Sequence, residues 1–163
     1  MRKYFFFIAA AVLVLDRLAK WTVASNIRPH HSITVIPGCF DLTHVENTGA
    51  AFGLFAESTA QWKIGALVSF SIIALMVVSA VLWKHSHSMS TTTIGLSLIL
   101  GGATGNLWDR MMTGHVVDFL DFYAGSYHWP AFNVADSAIV IGAILLVSEI
   151  VFAKSSEAVK SSS

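Results

Sequence analysis

Charge and cysteine are what this chain has least of. Only 12% of its 163 residues are charged, ten basic against ten acidic, where soluble domains carry about 25%. So few charges cannot cover a soluble surface of this size. The even balance leaves no basic excess to neutralise phosphates, which argues against a nucleic-acid partner. The single cysteine, Cys39, excludes an internal disulfide framework and a thiolate zinc cluster. Ile36-Pro37-Gly38-Cys39 faintly resembles a lipid-attachment box, but no apolar run precedes it and Cys39 reads as ordinary.

What is there instead is apolar sequence, 55% of the chain. About 20 apolar residues cross a hydrocarbon core of about 30 Å. Ile64–Trp83 and Thr91–Trp108 contain no charge, and Pro130–Ser148 contains only Asp136. Tyr4–Leu15 is apolar and reaches spanning length if its helix continues through Asp16, Arg17 and Lys20 to about Ala24. Uncharged runs repeated in so short a chain disfavour a soluble bundle. The expectation is an all-α membrane protein with four transmembrane helices, over about 4–24, 64–83, 91–110 and 130–152. The Ser-rich remainder, 154–163, reads as a disordered polar tail.

The basic start and apolar core of the first segment also resemble a signal peptide. Asp16-Arg17 stand where small neutral residues would be needed, so an uncleaved span is favoured. Asp16 and Lys20 lie four apart on one helix face, either as an interfacial ion pair or as a pair turned into the bundle. Between the first two spans, Ile33, Val35, Phe40 and Leu42 alternate with polar residues, which predicts short strands on the membrane surface. Lys84-His85-Ser86-His87-Ser88 reads as a solvated turn rather than a metal site.

Lys and Arg counts orient the spans. Arg2, Lys3, Lys84, Lys154 and Lys160 fall on the side of both termini, which predicts that side to be cytoplasmic. Asn47, Asp109, Arg110, Asp118, Asn133 and Asp136 then converge on the outer face. Gly102, Gly105 and Asn106 share one face of the third span, suited to close backbone packing. Asp109 and Arg110 continue that face, where a helix-end ion pair is the plain expectation. Pro130 suits the first turn of the fourth span. Glu149, near its far end, reads as a snorkelling side chain.

A carboxylate inside an apolar segment is costly and marks a functional site. Asp118 precedes the fourth span and Asp136 lies just inside it. As a dyad they would share one proton, the ionised partner activating water and the protonated one donating to an oxyanion. As metal ligands they would need help from His115, Asp121 or Asp109. As a relay they would need polar groups at several depths, which the spans lack. The dyad is favoured, with a small transporter or channel subunit and a metal-dependent hydrolase as alternatives. Residue chemistry leaves open whether Asp118 or Asp121 partners Asp136.

Five segments narrow this further: Asp16-x-x-x-Lys20, Val45–Gly53, Gly101–Arg110, Val116–Phe119 and Phe132–Asp136. In order and spacing they resemble the lipoprotein signal peptidases (signal peptidase II), bacterial intramembrane aspartic proteases. The resemblance covers nearly all of the chain except the tail. It implies Asp118 and Asp136 as the catalytic pair. Asn47, Asn106, Arg110 and Asn133 are implied to hold substrate and orient the pair, with Asp16, Lys20, Gly102, Asp109 and Ala135 in support. It further implies a monomeric multi-pass protein of the bacterial inner membrane, with both termini cytoplasmic and neither metal nor cofactor. Membrane lipids surround it, and its substrates are diacylglyceryl-modified prolipoproteins, cut before the lipidated cysteine.

Overall fold

The computed structural model describes the backbone of residues 2–49, 62–85 and 89–161, and side chains over 4–49, 62–85 and 89–152. Ala50–Gly53 of the second matching segment and Ser86–Ser88 of the expected turn lie outside the described residues. Four helices, α1 (Arg2–Asn26), α2 (Trp62–His85), α3 (Thr91–Met112) and α4 (Val134–Ser161), carry a small sheet of β1 (Ser32–Ile36), β2 (Phe40–Asn47), β3 (Val116–Ala124) and β4 (Tyr127–His128).

α3 lies in the middle of the bundle because it is the helix whose small residues admit neighbours on several sides. A Cβ on Gly101 would stand 2.6 Å from the Ala9 carbonyl oxygen of α1, and one on Gly102 would stand 2.3 Å from that of Ala135 in α4. Neither position admits a side chain. At one end of the bundle Phe5, Leu82 and Leu96 form a buried cluster. At the other, Val23 and Ile27 of α1 pack against Phe119 of β3, which ties the sheet to the bundle.

The sheet runs in the order β1-β2-β3-β4 with every pair antiparallel. The expected strands around Ile33 and Phe40 are present as β1 and β2. β3 was not expected: Val116–Ala124 reads as a connection in the sequence, yet it is the longest strand. Between β2 and β3, Leu42 faces Leu120 while Val45 faces Asp118, so β2 carries one extra residue, a bulge. The bulged His44 is buried, its Nδ1 2.7 Å from the Ile27 carbonyl oxygen.

Two further expectations are corrected. α4 begins at Val134 rather than at Pro130, because Asn133 caps it. Its backbone also stays helical to Ser161, through the segment read as a disordered tail. No Gly or Pro follows Gly142 to end the helix, and Ala, Glu and Lys sustain it.

α2 and Val134–Phe152 of α4 are long and apolar enough to cross a membrane. α1 and α3 match them in length, about 37 and 33 Å at 1.5 Å per residue. Their polar residues keep them from qualifying on composition. Those same residues are buried: Asp16, Lys20, Asn106 and Asp109 all face the interior. Large apolar side chains on the outside, among them Phe7, Trp21, Phe70, Met76, Ile144 and Phe152, form a surface unlike that of a soluble monomer.

Candidate active site

Asp118 lies on β3 and Asp136 in the first turn of α4, and both line a cavity of about 490 Å³. Asn133 joins them. Its Oδ1 accepts from the Asp136 backbone N–H at 2.9 Å, and the Asp136 carboxylate accepts in return from the Asn133 N–H at 3.3 Å. This is a reciprocal capping box with aspartate as the third helical residue. The Nδ2 of Asn133 donates to Asp118 Oδ1 at 2.6 Å. One buried amide therefore starts α4, holds one carboxylate and positions the backbone of the other.

The remaining oxygens are also held. Asn47 Nδ2 donates to Asp118 Oδ2 at 2.9 Å, and the Asn47 Oδ1 accepts the Gly49 N–H at 2.8 Å, which settles the orientation of that amide. Asn106 Nδ2 donates to Asp136 Oδ1 at 2.7 Å. Asp118 is only 3% exposed. Burial, reinforced by the charge of Asp136, pushes its carboxyl up to about 6, against the opposing pull of the Asn47 and Asn133 donors.

Behind the carboxylates lies a buried ionic cluster. Lys20 Nζ stands 2.8 Å from Asp16, 2.7 Å from Asp109 and 2.9 Å from Asn106 Oδ1. Three acceptors match the three protons of an ammonium group. Because Lys20 holds the amide oxygen of Asn106, the Asn106 NH₂ is left to face Asp136. Asp16 Oδ1 accepts the Ala135 N–H at 3.0 Å, satisfying one of the free donors at the start of α4. Gly105 makes room for it: a Cβ there would stand 2.8 Å from Asp16 Oδ2.

Every residue singled out in the sequence as catalytic or supporting is thus in the constellation or directly behind it. Two details differ from expectation. Asp109 pairs with Lys20 and with Arg17 across the bundle, not with Arg110 beside it. Arg110 instead donates to the Gly49 carbonyl oxygen at 3.0 Å and to that of Asn106 at 3.2 Å, and lines the cavity. Arg17 is not among the residues singled out in the sequence, because its spacing from Asp16 and Lys20 carries no signal of a partner on another helix. Asp121 lies outside the constellation and binds His128 at 2.9 Å.

A family model described as signal peptidase (SPase) II matches residues 8–152. This chain belongs to the signal peptidase II family. Lipoprotein signal peptidases of Solibacter usitatus and Desulforapulum autotrophicum are each 47% identical to it, covering 88% and 90% of this chain and 87% and 91% of their own lengths. That of Alteromonas mediterranea is 44% identical over 88% of this chain and 78% of its own. A bacterial membrane enzyme solved at 2.3 Å superposes with a TM-score of 0.83 at 31% identity, covering 94% of this chain and 91% of that one. A second, solved at 1.9 Å, gives 0.80 at 32% identity, with coverages of 91% and 92%. Membership in this family makes the chain a membrane-associated protease, and the apolar character of its outer surface agrees.

Proposed function

We propose that this signal peptidase II family member is an aspartic endopeptidase that removes the signal peptide from diacylglyceryl-modified prolipoproteins, cutting before the lipidated cysteine. The observation that carries the reading is Asn133, whose side chain donates to the Asp118 carboxylate and accepts the Asp136 backbone N–H, so that one amide holds both of the aspartates that line the cavity. Asp118 is the partner that keeps the shared proton, because burial raises its affinity for one. Asp136 is the general base. It takes a proton from water as the water oxygen attacks the scissile carbonyl, and Asp118 donates to the forming oxyanion. Collapse of the tetrahedral intermediate breaks the C–N bond, and the amine leaves with the proton Asp136 had taken.

Charge counting supports one shared proton. Arg17 and Lys20 balance Asp16 and Asp109, while Arg110 faces the two catalytic carboxyls and balances only one negative charge. Metal-independent chemistry is the better reading because amide N–H groups already point at both oxygens of Asp118, where a cation would have to bind. The apolar wall of Ile139, Val140 and Ile141 suits a signal-peptide helix and acyl chains.

In this reading all four helices span the inner membrane of a bacterium, both termini are cytoplasmic and the cavity opens near the outer face. The polar groups of α1 and α3 can lie within the bilayer because they are satisfied inside the bundle. The direct test is incubation of the purified protein with diacylglyceryl-modified prolipoprotein, followed by the size shift. Asp118→Asn and Asp136→Asn are each expected to lower turnover by at least 10²–10⁴-fold, with Asp121→Asn near wild type and chelators without effect. An active Asp118→Asn enzyme would refute the assigned pair.

A further inference from the structure

At the end of the bundle away from Asp136, the half-buried Glu149 of α4 accepts a hydrogen bond from the Thr92 hydroxyl in the first turn of α3. Beside it is a second hollow of about 300 Å³, walled by Val81 of α2, Leu96 of α3, and Leu146 and Ile150 of α4. Among the described residues no basic side chain lies within ion-pair distance of Glu149. Snorkelling therefore does not describe this side chain fully: its carboxylate is held against an apolar hollow by a neutral donor. The N-terminus of α3 offsets part of the charge but supplies no cation.

The hollow and the catalytic cavity lie along one side of α3. Thr92 and Leu96 line the first, Asn106 and Arg110 the second, and at 3.6 residues per turn all four fall on one face of the helix. α4 walls both. Glu149 stands thirteen positions after Asp136, a rise of about 20 Å. A signal peptide has an apolar core of about 7–15 residues preceded by a positively charged segment, and such a core as a helix is about 10–22 Å long. With its cleavage site at Asp136, the longer of these cores bring their basic start level with Glu149.

We infer that Glu149 and the adjoining hollow form a subsite for the basic N-terminal residues of the substrate's signal peptide. This rests on the peptidase reading above and extends it from the scissile bond to the far end of the same peptide. Charge complementarity selects the occupant: a carboxylate beside apolar walls suits the junction between a cationic segment and an apolar helix.

The test is steady-state cleavage of two diacylglyceryl-modified prolipoproteins that differ only in their N-terminal segment, Lys/Arg in one and Gln in the other. Glu149→Gln keeps an acceptor for Thr92 and removes the charge. It is expected to raise KM for the basic substrate roughly two- to fivefold, leaving kcat for both and KM for the Gln substrate unchanged. Glu149→Lys is expected to invert the preference. Equal handling of both substrates by wild type, or a preference that survives Glu149→Gln, overturns the subsite. Equal losses on both substrates assign Glu149 a purely structural role and overturn it too. If wild type cleaves neither substrate, the peptidase reading itself falls and takes the subsite with it.

Discussion

Asp118 and Lys20 reach opposite solutions to the same cost. Each is a charged group taken out of water. Lys20 is matched by Asp16, Asp109 and the amide oxygen of Asn106, so its charge is neutralised where it stands. Among the described residues Asp118 accepts two amide donors but meets no cation at bonding distance, and its carboxyl rises to about 6 from a usual value near 3.8. The folded protein therefore binds this proton more tightly than the unfolded chain does. Stability from this group is fully present below about pH 4 and is lost as pH rises to about 6, an amount on the order of 3 kcal/mol. Thermal unfolding in detergent across that window is expected to show a downward slope with rising pH, and Asp118→Asn is expected to flatten it. An unchanged slope in the variant would assign the pH dependence to another group.

At the scale of elements, the site depends on how α4 starts and how β3 alternates. α4 starts directly after Asn133 because an asparagine that caps a helix satisfies N–H groups of its first turn, and the third helical residue, Asp136, returns the bond. β3 turns successive side chains to opposite faces. Asp118 therefore faces the cavity, while Phe119 packs on α1 and Asp121 points away. The α3–α4 seam then sets where Asp136 lies. Gly102→Ala would place a methyl group 2.3 Å from the Ala135 carbonyl oxygen, forcing apart the two helices that carry Asn106 and Asp136. It is expected to cost about 1–3 kcal/mol of stability and to lower kcat. Gly65→Ala, where nothing lies within 4 Å of the new methyl, is expected to leave both unchanged.

At the scale of the whole molecule, the interior is polar where the helices meet the sheet, and much of the outside is apolar, the inverse of a soluble fold. The proposed orientation puts the β1–β2 turn on the outer side of the inner membrane, and that turn carries the exposed Cys39. An impermeant maleimide is expected to label Cys39 in right-side-out membrane vesicles and to fail in sealed inverted ones; the opposite pattern would reverse the topology. The helices and the matching polar segments were legible in the amino-acid order, because long apolar runs and short-range spacing are local properties. Asn133 and Asp136 could be placed on one helix face for the same reason. The partners of Asp109 and the existence of β3 were not legible, and residue chemistry without the family resemblance did not separate Asp118 from Asp121. Each depends on contacts between segments far apart in the chain: Arg17 reaching across the bundle, a bulge resetting the register of β2, and an amide at the start of α4 meeting a strand. Sequence alone determined that carboxylates would stand at the edge of an apolar bundle; only the tertiary structure decided which two share a cavity, because side-chain direction on a strand follows from its pairing and not from its composition.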